Sequence, residues 1–305
     1  MTTLEEAVSS GASLLAGTDQ PNSRRTARLL LSHLLGTDQT AVLARSKDRL
    51  SDQDFDNYIS LVRRRASGEP LQYITGHQEF HGLDFKVTPD VLIPRPETEF
   101  AVERILKLAG ARPSQENRDS YSESADDPDP DGVPLIVDLG TGSGCIAITL
   151  VLNVPTAFVI ATDISDAALR VARGNAARLG VTQRISFVQG DLLAPIANRE
   201  AAGGVDFIVC NPPYIPASQR DLLQREVREH EPPAALYGGD DGLSFFRRLF
   251  IESSPVVKPG GVLIVELGYL QLDPVRRLID PADWEVLDVT EDLQGIPRVL
   301  AAKRT

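Results

Sequence analysis

The sequence predicts an α/β protein of 305 residues, with a small helical domain and a β-hairpin ahead of a doubly wound, mostly parallel sheet of seven strands. Three observations predict it. From residue 135 onward, strand patterns alternate with helical ones, as they do in a chain that crosses repeatedly over a parallel sheet. The first strand and Gly261-Val262-Leu263-Ile264-Val265-Glu266-Leu267 are near-continuous apolar runs, expected of strands covered by helices on both faces. The first strand also leads into Asp138-Leu139-Gly140-Thr141-Gly142-Ser143-Gly144-Cys145, where glycines at every second position open a helix.

Residues 1–76 read as helical. Leu4, Ala7, Val8, Leu14 and Leu15 form a stripe, and Ser23 opens a segment that closes at Gly36. Ser51 and Asp54 resemble a capping box before a helix through Phe55, Tyr58, Ile59 and Val62 to Gly68. Arg63-Arg64-Arg65 reads as its solvated C-terminus, where cations complement the helix dipole. Nothing in this domain looks catalytic, and docking is its natural role. Residues 77–94 form a linker in which Phe80, Leu83, Phe85 and Val87 flank a His81-Gly82 turn signal, a β-hairpin pattern. His77 and His81, about 13 Å apart along a strand, make no metal pair.

The main domain spans 95–305. Pro96, with Glu97 and Glu99 after it, starts a helix that runs to about Leu108. Residues 113–132 are rich in Ser, Asp, Pro and Glu and have too little apolar content to order themselves, so they read as a disordered acidic insert. Strands are expected near 135–140, 157–163, 185–190, 205–210, 261–267, 284–290 and 297–303, with helices near 144–153, 166–179, 243–255 and 270–279. The last two strands have only a Gln294-Gly295-Ile296 turn between them and should pair antiparallel at one edge.

The formal charge is −12, but 113–131 alone carries seven acids against one base, so the rest is only mildly acidic. No basic face for a phosphate backbone is visible. No stretch approaches the ~20 apolar residues of a membrane helix, and no basic leader opens the chain, which predicts a cytoplasmic protein with no membrane contact. The two cysteines, Cys145 and Cys210, lie in apolar segments and read as buried, inert thiols.

The chemistry gathers at strand ends. In the glycine loop, Gly144 comes one residue early for a dinucleotide fingerprint, and Asp138 would repel a diphosphate. A carboxylate there suits a ligand with a cationic end, which points to S-adenosyl-L-methionine in a Rossmann-like sheet, held by Gly140, Thr141, Gly142, Ser143 and Gly144. Asp163 closes the second strand and suits ribose hydroxyls. Asp191 and Leu192 end the third, an acceptor for an adenine amino group and an apolar cover for its ring. After the fourth come Asn211-Pro212-Pro213-Tyr214-Ile215. The prolines stiffen this tip and donate no N–H, so the Asn211 side-chain oxygen and the Pro212 carbonyl form a rigid acceptor pair for a planar NH₂ group. An amide or an exocyclic amine fits that pair.

At these residues the chain resembles the release-factor glutamine methyltransferases, also called PrmC or HemK. The likeness is carried by Pro70-Leu71-Gln72-Tyr73-Ile74-Thr75-Gly76, Val91-Leu92-Ile93-Pro94-Arg95-Pro96-Glu97-Thr98-Glu99, the glycine loop, Asn211-Pro212-Pro213-Tyr214-Ile215, Glu231-Pro232 and Gly260-Gly261. The resemblance implies a helical domain, a hairpin linker and an S-adenosylmethionine domain, and N5-methylation of the glutamine in the Gly-Gly-Gln motif of class-1 peptide chain release factors. It further implies that Asn211, Pro212, Pro213 and Tyr214 hold that glutamine, with Asn211 also beside the cofactor. Leu192 departs from the aromatic residue frequent at that position. The competing reading is an adenine N6-methyltransferase of DNA or RNA, with Tyr214 stacking on a flipped base.

Overall fold

The structure, a computed structural model, describes residues 2–18, 22–110, 133–197 and 204–305. The acidic segment 113–132 lies outside the described residues. The chain divides into two compact units, Met1–His77 with Gln224–His230, and Gln78–Leu223 with Glu231–Thr305.

The first unit packs α1 (Leu4–Leu15), α2 (Ser23–Leu34), α3 (Gln39–Ala44), α4 (Asp52–Ala66) and α5 (Leu71–Thr75). Their apolar stripes meet in a core of Leu4, Val8, Leu15, Leu30, Leu31, Tyr58 and Val62. Thr3 and Glu6 form a reciprocal capping box at the start of α1. Ser51 accepts from the Asp54 N–H at the start of α4 and donates to the Asp54 carboxylate. Of the Arg63-Arg64-Arg65 run, Arg63 and Arg64 are exposed as expected and Arg65 is not. Arg65 is only 6% exposed and pairs with Glu226 at 2.6 Å. Glu226 lies on α9 (Arg225–His230), a helix the sequence pattern did not announce, which reaches this unit from far along the chain. A local reading sees a basic helix end and not the acid that arrives 161 residues later.

From His77 the chain forms a hairpin of β1 (His77–Phe80) and β2 (Leu83–Lys86). His81 and Gly82 both take positive φ in its two-residue turn, the backbone such a hairpin needs. A single 3₁₀ turn, Pro96–Thr98, leads into α6 (Glu99–Leu108). Then follow β3 (Leu135–Leu139), α7 (Cys145–Asn153), β4 (Phe158–Asp163), α8 (Asp166–Arg178), β5 (Ile185–Gln189), β6 (Val205–Cys210), α10 (Ser244–Ser253), β7 (Val257–Glu266), α11 (Leu272–Arg276), β8 (Trp284–Glu291) and β9 (Pro297–Arg304).

The seven main strands lie in the order β5-β4-β3-β6-β7-β9-β8, with β3 to β7 parallel and β9 antiparallel to both of its neighbours. The final hairpin therefore folds back, placing β9 against β7 and leaving β8 at the edge. Both faces are covered. Ile136, Val209 and Ile264 join a core with α6 and α7, while Val137, Ile208 and Leu263 join one with Phe246, Leu249 and Phe250 of α10. Burial on both sides explains the continuous apolar runs. β7 starts four residues before its apolar run because Lys258-Pro259-Gly260-Gly261 bulges between the Val205–Val257 and Phe207–Val262 pairs. A bulge admits proline and glycine, which read in sequence as a turn.

Chain order turns back at β3. The chain moves outward through β4 and β5, then returns to the other side of β3 as β6. The crevice at the carboxyl ends of β3 and β6 is where a doubly wound sheet binds ligands. Leu139 pairs with Cys210, so Gly140 and Asn211 leave adjacent strands at the same level.

Candidate active site

The glycine loop is shaped by backbone bonds. Gly140, Gly142 and Gly144 all adopt positive φ, which residues with a Cβ rarely take. The N–H groups of Gly140 and Thr141 both donate to the Thr162 carbonyl at 2.9 Å, tying the loop to the next strand. The Gly142 N–H donates to Asp163 Oδ2 at 2.9 Å, and the Ser165 N–H to Asp163 Oδ1 at 2.9 Å. Asp138 does not face a ligand as its charge suggests. It is fully buried and absent from the cavity wall, and its Oδ2 accepts from Thr141 Oγ1 at 2.6 Å and the Ala147 N–H at 3.2 Å. Burial pushes its carboxyl up to about 7 against the pull of those donors. Its work is to clamp the loop onto the start of α7.

A cavity of about 510 Å³ opens over this loop, within the range of small-molecule sites. Its wall takes in Gly140, Thr141, Gly142, Ser143, Asp163, Asp191, Leu192, Asn211, Pro212 and Pro213, so residues from four strand ends meet at one space. Two features fit a polar, nucleoside-bearing ligand. The Ser143 hydroxyl is buried and bonds to no oxygen or nitrogen among the described residues. Asp163 is held above the usual carboxylate range, by burial first, so further donors on its oxygens would offset that cost. Leu192 is 9% exposed and takes positive φ, which turns its side chain into the wall. Asp191 already pairs with Arg248 of α10 at 3.0 Å, a partner the sequence did not indicate.

On the opposite wall stand Asn211, Pro212 and Pro213. Asn211 Nδ2 donates to Thr98 Oγ1 at 3.0 Å, and Thr98 Oγ1 donates to Glu266 Oε2 at 2.7 Å. Among the described residues, neither Asn211 Oδ1 nor the Pro212 carbonyl accepts a hydrogen bond. Tyr214 is separated from its neighbours in the motif. It is missing from the cavity wall, packs against the core on the α10 side of the sheet, and donates to Glu266 Oε1 at 3.4 Å. Burial and the nearby Glu266 raise the phenol, which keeps its proton.

Glu266 is 2% exposed at the end of β7, and burial pushes it up to about 7. Sequence reasoning passed over it, although one acid closing an apolar strand is a visible signal, since unpaired acids are rarely buried. It also missed that Arg95, on the cavity wall, pairs with the buried Glu231, and that the Tyr237 hydroxyl at the wall has no partner among the described residues. Both cysteines are buried and free, with thiols raised by burial, Cys145 to about 12. Among the described residues no three metal-binding side chains gather, and no helix is long and apolar enough to cross a membrane.

Comparison with known proteins agrees with this geometry. Residues 6–76 match the model of the PrmC N-terminal domain, and residues 131–230 that of the methyltransferase small domain. The "Release factor glutamine methyltransferase" of Koribacter versatilis is 39% identical over 302 residues, covering 99% of each chain. That of Moorella thermoacetica is 40% identical, covering 90% of this chain and 89% of its own. A methyltransferase crystal structure from Pyrococcus furiosus, 17% identical, superposes with a TM-score of 0.50 over 81% of this chain and 98% of its own, a likeness of fold. The chain belongs to the release factor glutamine methyltransferase family and is an S-adenosylmethionine-dependent methyltransferase.

Proposed function

We propose that this chain methylates the side-chain amide nitrogen, N5, of the glutamine in the Gly-Gly-Gln motif of class-1 peptide chain release factors. One observation carries the reading. Two acceptors with no partner among the described residues, Asn211 Oδ1 and the Pro212 carbonyl, stand on the cavity wall at the level of the glycine loop. A primary amide has two N–H donors to give them, and a hydroxyl or thiol only one.

The residues around the cavity divide between two ligands. The backbone of Gly140 to Ser143, the Ser143 hydroxyl and the Asp163 carboxylate suit the cofactor's polar end and ribose, and Asp191 and Leu192 its adenine, while Gly144, off the cavity wall, closes the loop by donating to the Thr141 carbonyl at 2.8 Å. Bound there, S-adenosylmethionine supplies a methyl group activated by a sulfonium. The chain's own part is to aim the amide. Resonance draws the nitrogen's lone pair into the carbonyl, and no histidine lines the cavity to remove a proton first. Asn211 and Pro212 instead hold the two N–H groups, which directs the nitrogen and stabilises positive charge as it develops. The proton leaves after transfer, when the nitrogen is strongly acidic. Pro213 stiffens the tip. Tyr214 supports it from behind by packing and by its bond to Glu266.

The helical unit is proposed to dock the release factor, and the substrate places the reaction in the cytoplasm, with neither membrane nor stable nucleic-acid binding. Against the adenine reading, Tyr214 packs against the core and is absent from the cavity wall where a base would stack. The test incubates the protein with labelled S-adenosylmethionine and, in parallel, a class-1 release factor, its Gly-Gly-Ala variant, and DNA. Label is expected on the first alone, at the glutamine. Equal label on the Gly-Gly-Ala variant, or label on DNA, overturns the reading.

A further inference from the structure

Asn211 serves this reaction only if its amide is held one way round, oxygen toward the substrate and NH₂ away. The two orientations of an asparagine amide fill the same volume, so packing alone does not choose between them. The hydrogen bonds behind Asn211 do. Above pH 7, where Glu266 is ionised, its carboxylate only accepts, and a threonine hydroxyl has one proton to give. Thr98 gives that proton to Glu266 at 2.7 Å, so only lone pairs are left facing Asn211. They attract the NH₂, 3.0 Å away, and would repel the oxygen.

We propose that Thr98 and Glu266 are positioning residues, a carboxylate–hydroxyl relay that fixes the orientation of the Asn211 amide and so keeps its oxygen available to the substrate. The three groups come from the 3₁₀ turn at 96–98, the tip of β6 and the end of β7. Folding therefore assembles the relay from segments more than 50 residues apart. Tyr214 caps the other carboxylate oxygen. The inference rests on the reading that Asn211 grips an amide N–H, and deepens it.

The test compares Thr98→Val, which keeps the shape and deletes the hydroxyl, with Thr98→Ser, which keeps the hydroxyl. With a class-1 release factor and labelled cofactor at saturation, Thr98→Val is expected to lower kcat about 30-fold. The release-factor KM and the cofactor Kd by calorimetry should stay within about threefold, since Thr98, though on the cavity wall, has its hydroxyl engaged with Glu266 and Asn211. Thr98→Ser should restore most of kcat. In an Asn211→Ala background, Thr98→Val should cost nothing more, because the hydroxyl acts only through that amide. A wild-type kcat in Thr98→Val, or a full further loss in the Asn211→Ala background, overturns the relay. If Thr98→Val no longer binds cofactor, Thr98→Ala, which introduces no methyl in place of the oxygen, is measured and judged by the same outcomes. Failure of the wild-type enzyme to label the release factor overturns the proposed reaction itself, a result distinct from failure of the relay.

Discussion

The two walls of the cavity are built by different rules. The glycine-loop wall is local. Its shape follows from three positive-φ glycines and from bonds to Thr162 and Asp163 on the neighbouring strand. The Asn211 wall is assembled at long range, from Thr98 behind it and Glu266 behind that, 113 and 168 residues apart in the chain. In the proposed reaction the loop wall offers backbone and one desolvated acid to the cofactor, whereas the Asn211 wall offers oriented acceptors to the amide. The first kind of surface mainly sets how tightly a ligand is held, and the second mainly sets how fast the held ligand reacts.

The contrast breaks most visibly at Asn211. Replacing it with alanine should lower kcat by about 10² to 10³, the scale of one preorganised contact, and leave cofactor affinity unchanged. Near-normal turnover would remove Asn211 from the reaction. At Asp163 the reverse is expected. Asp163→Ala should weaken cofactor binding by about 30-fold, the scale of hydrogen bonds to a charged group, and disturb kcat little at saturation. An unchanged calorimetric Kd would show that the acid serves the loop alone.

Glu266 sharpens the comparison through stability. Its folded-state value, about 7, lies above its ordinary 4.5, so the folded state keeps a proton that the unfolded state releases. Its contribution to stability is therefore undiminished below pH 4.5, falls as the pH rises toward 7, and is constant above that. Glu266→Gln should gain on the wild type between pH 5 and pH 8, by about 2–3 kcal/mol in chemical denaturation. Asp138, shifted the same way, is present in both proteins and cancels. A gap independent of pH would mean that Glu266 keeps its charge at low cost.

Arg65 and Tyr214 show where one-dimensional reading ends. Arg65 sits in a basic run at a helix end, a pattern that normally faces water, yet Glu226 draws it under the surface. Tyr214 adjoins three residues on the cavity wall, but β6 ends at Cys210 and the ring beyond it packs against the core instead. Neither outcome has a local cause.

What the sequence determined by itself was whatever depends on neighbours in the chain. The period of the apolar residues set the strands and helices, the hairpin turn was marked by His81-Gly82, the loop by alternate glycines, and the stiff tip by two prolines. Tertiary structure alone decided which wall each polar group faces: Asp138 inward to clamp a loop, Glu266 beneath Thr98, and β9 between β7 and the edge. The physical reason is that a buried polar group must find its partner wherever the fold brings one, and distance along the chain does not enter that condition.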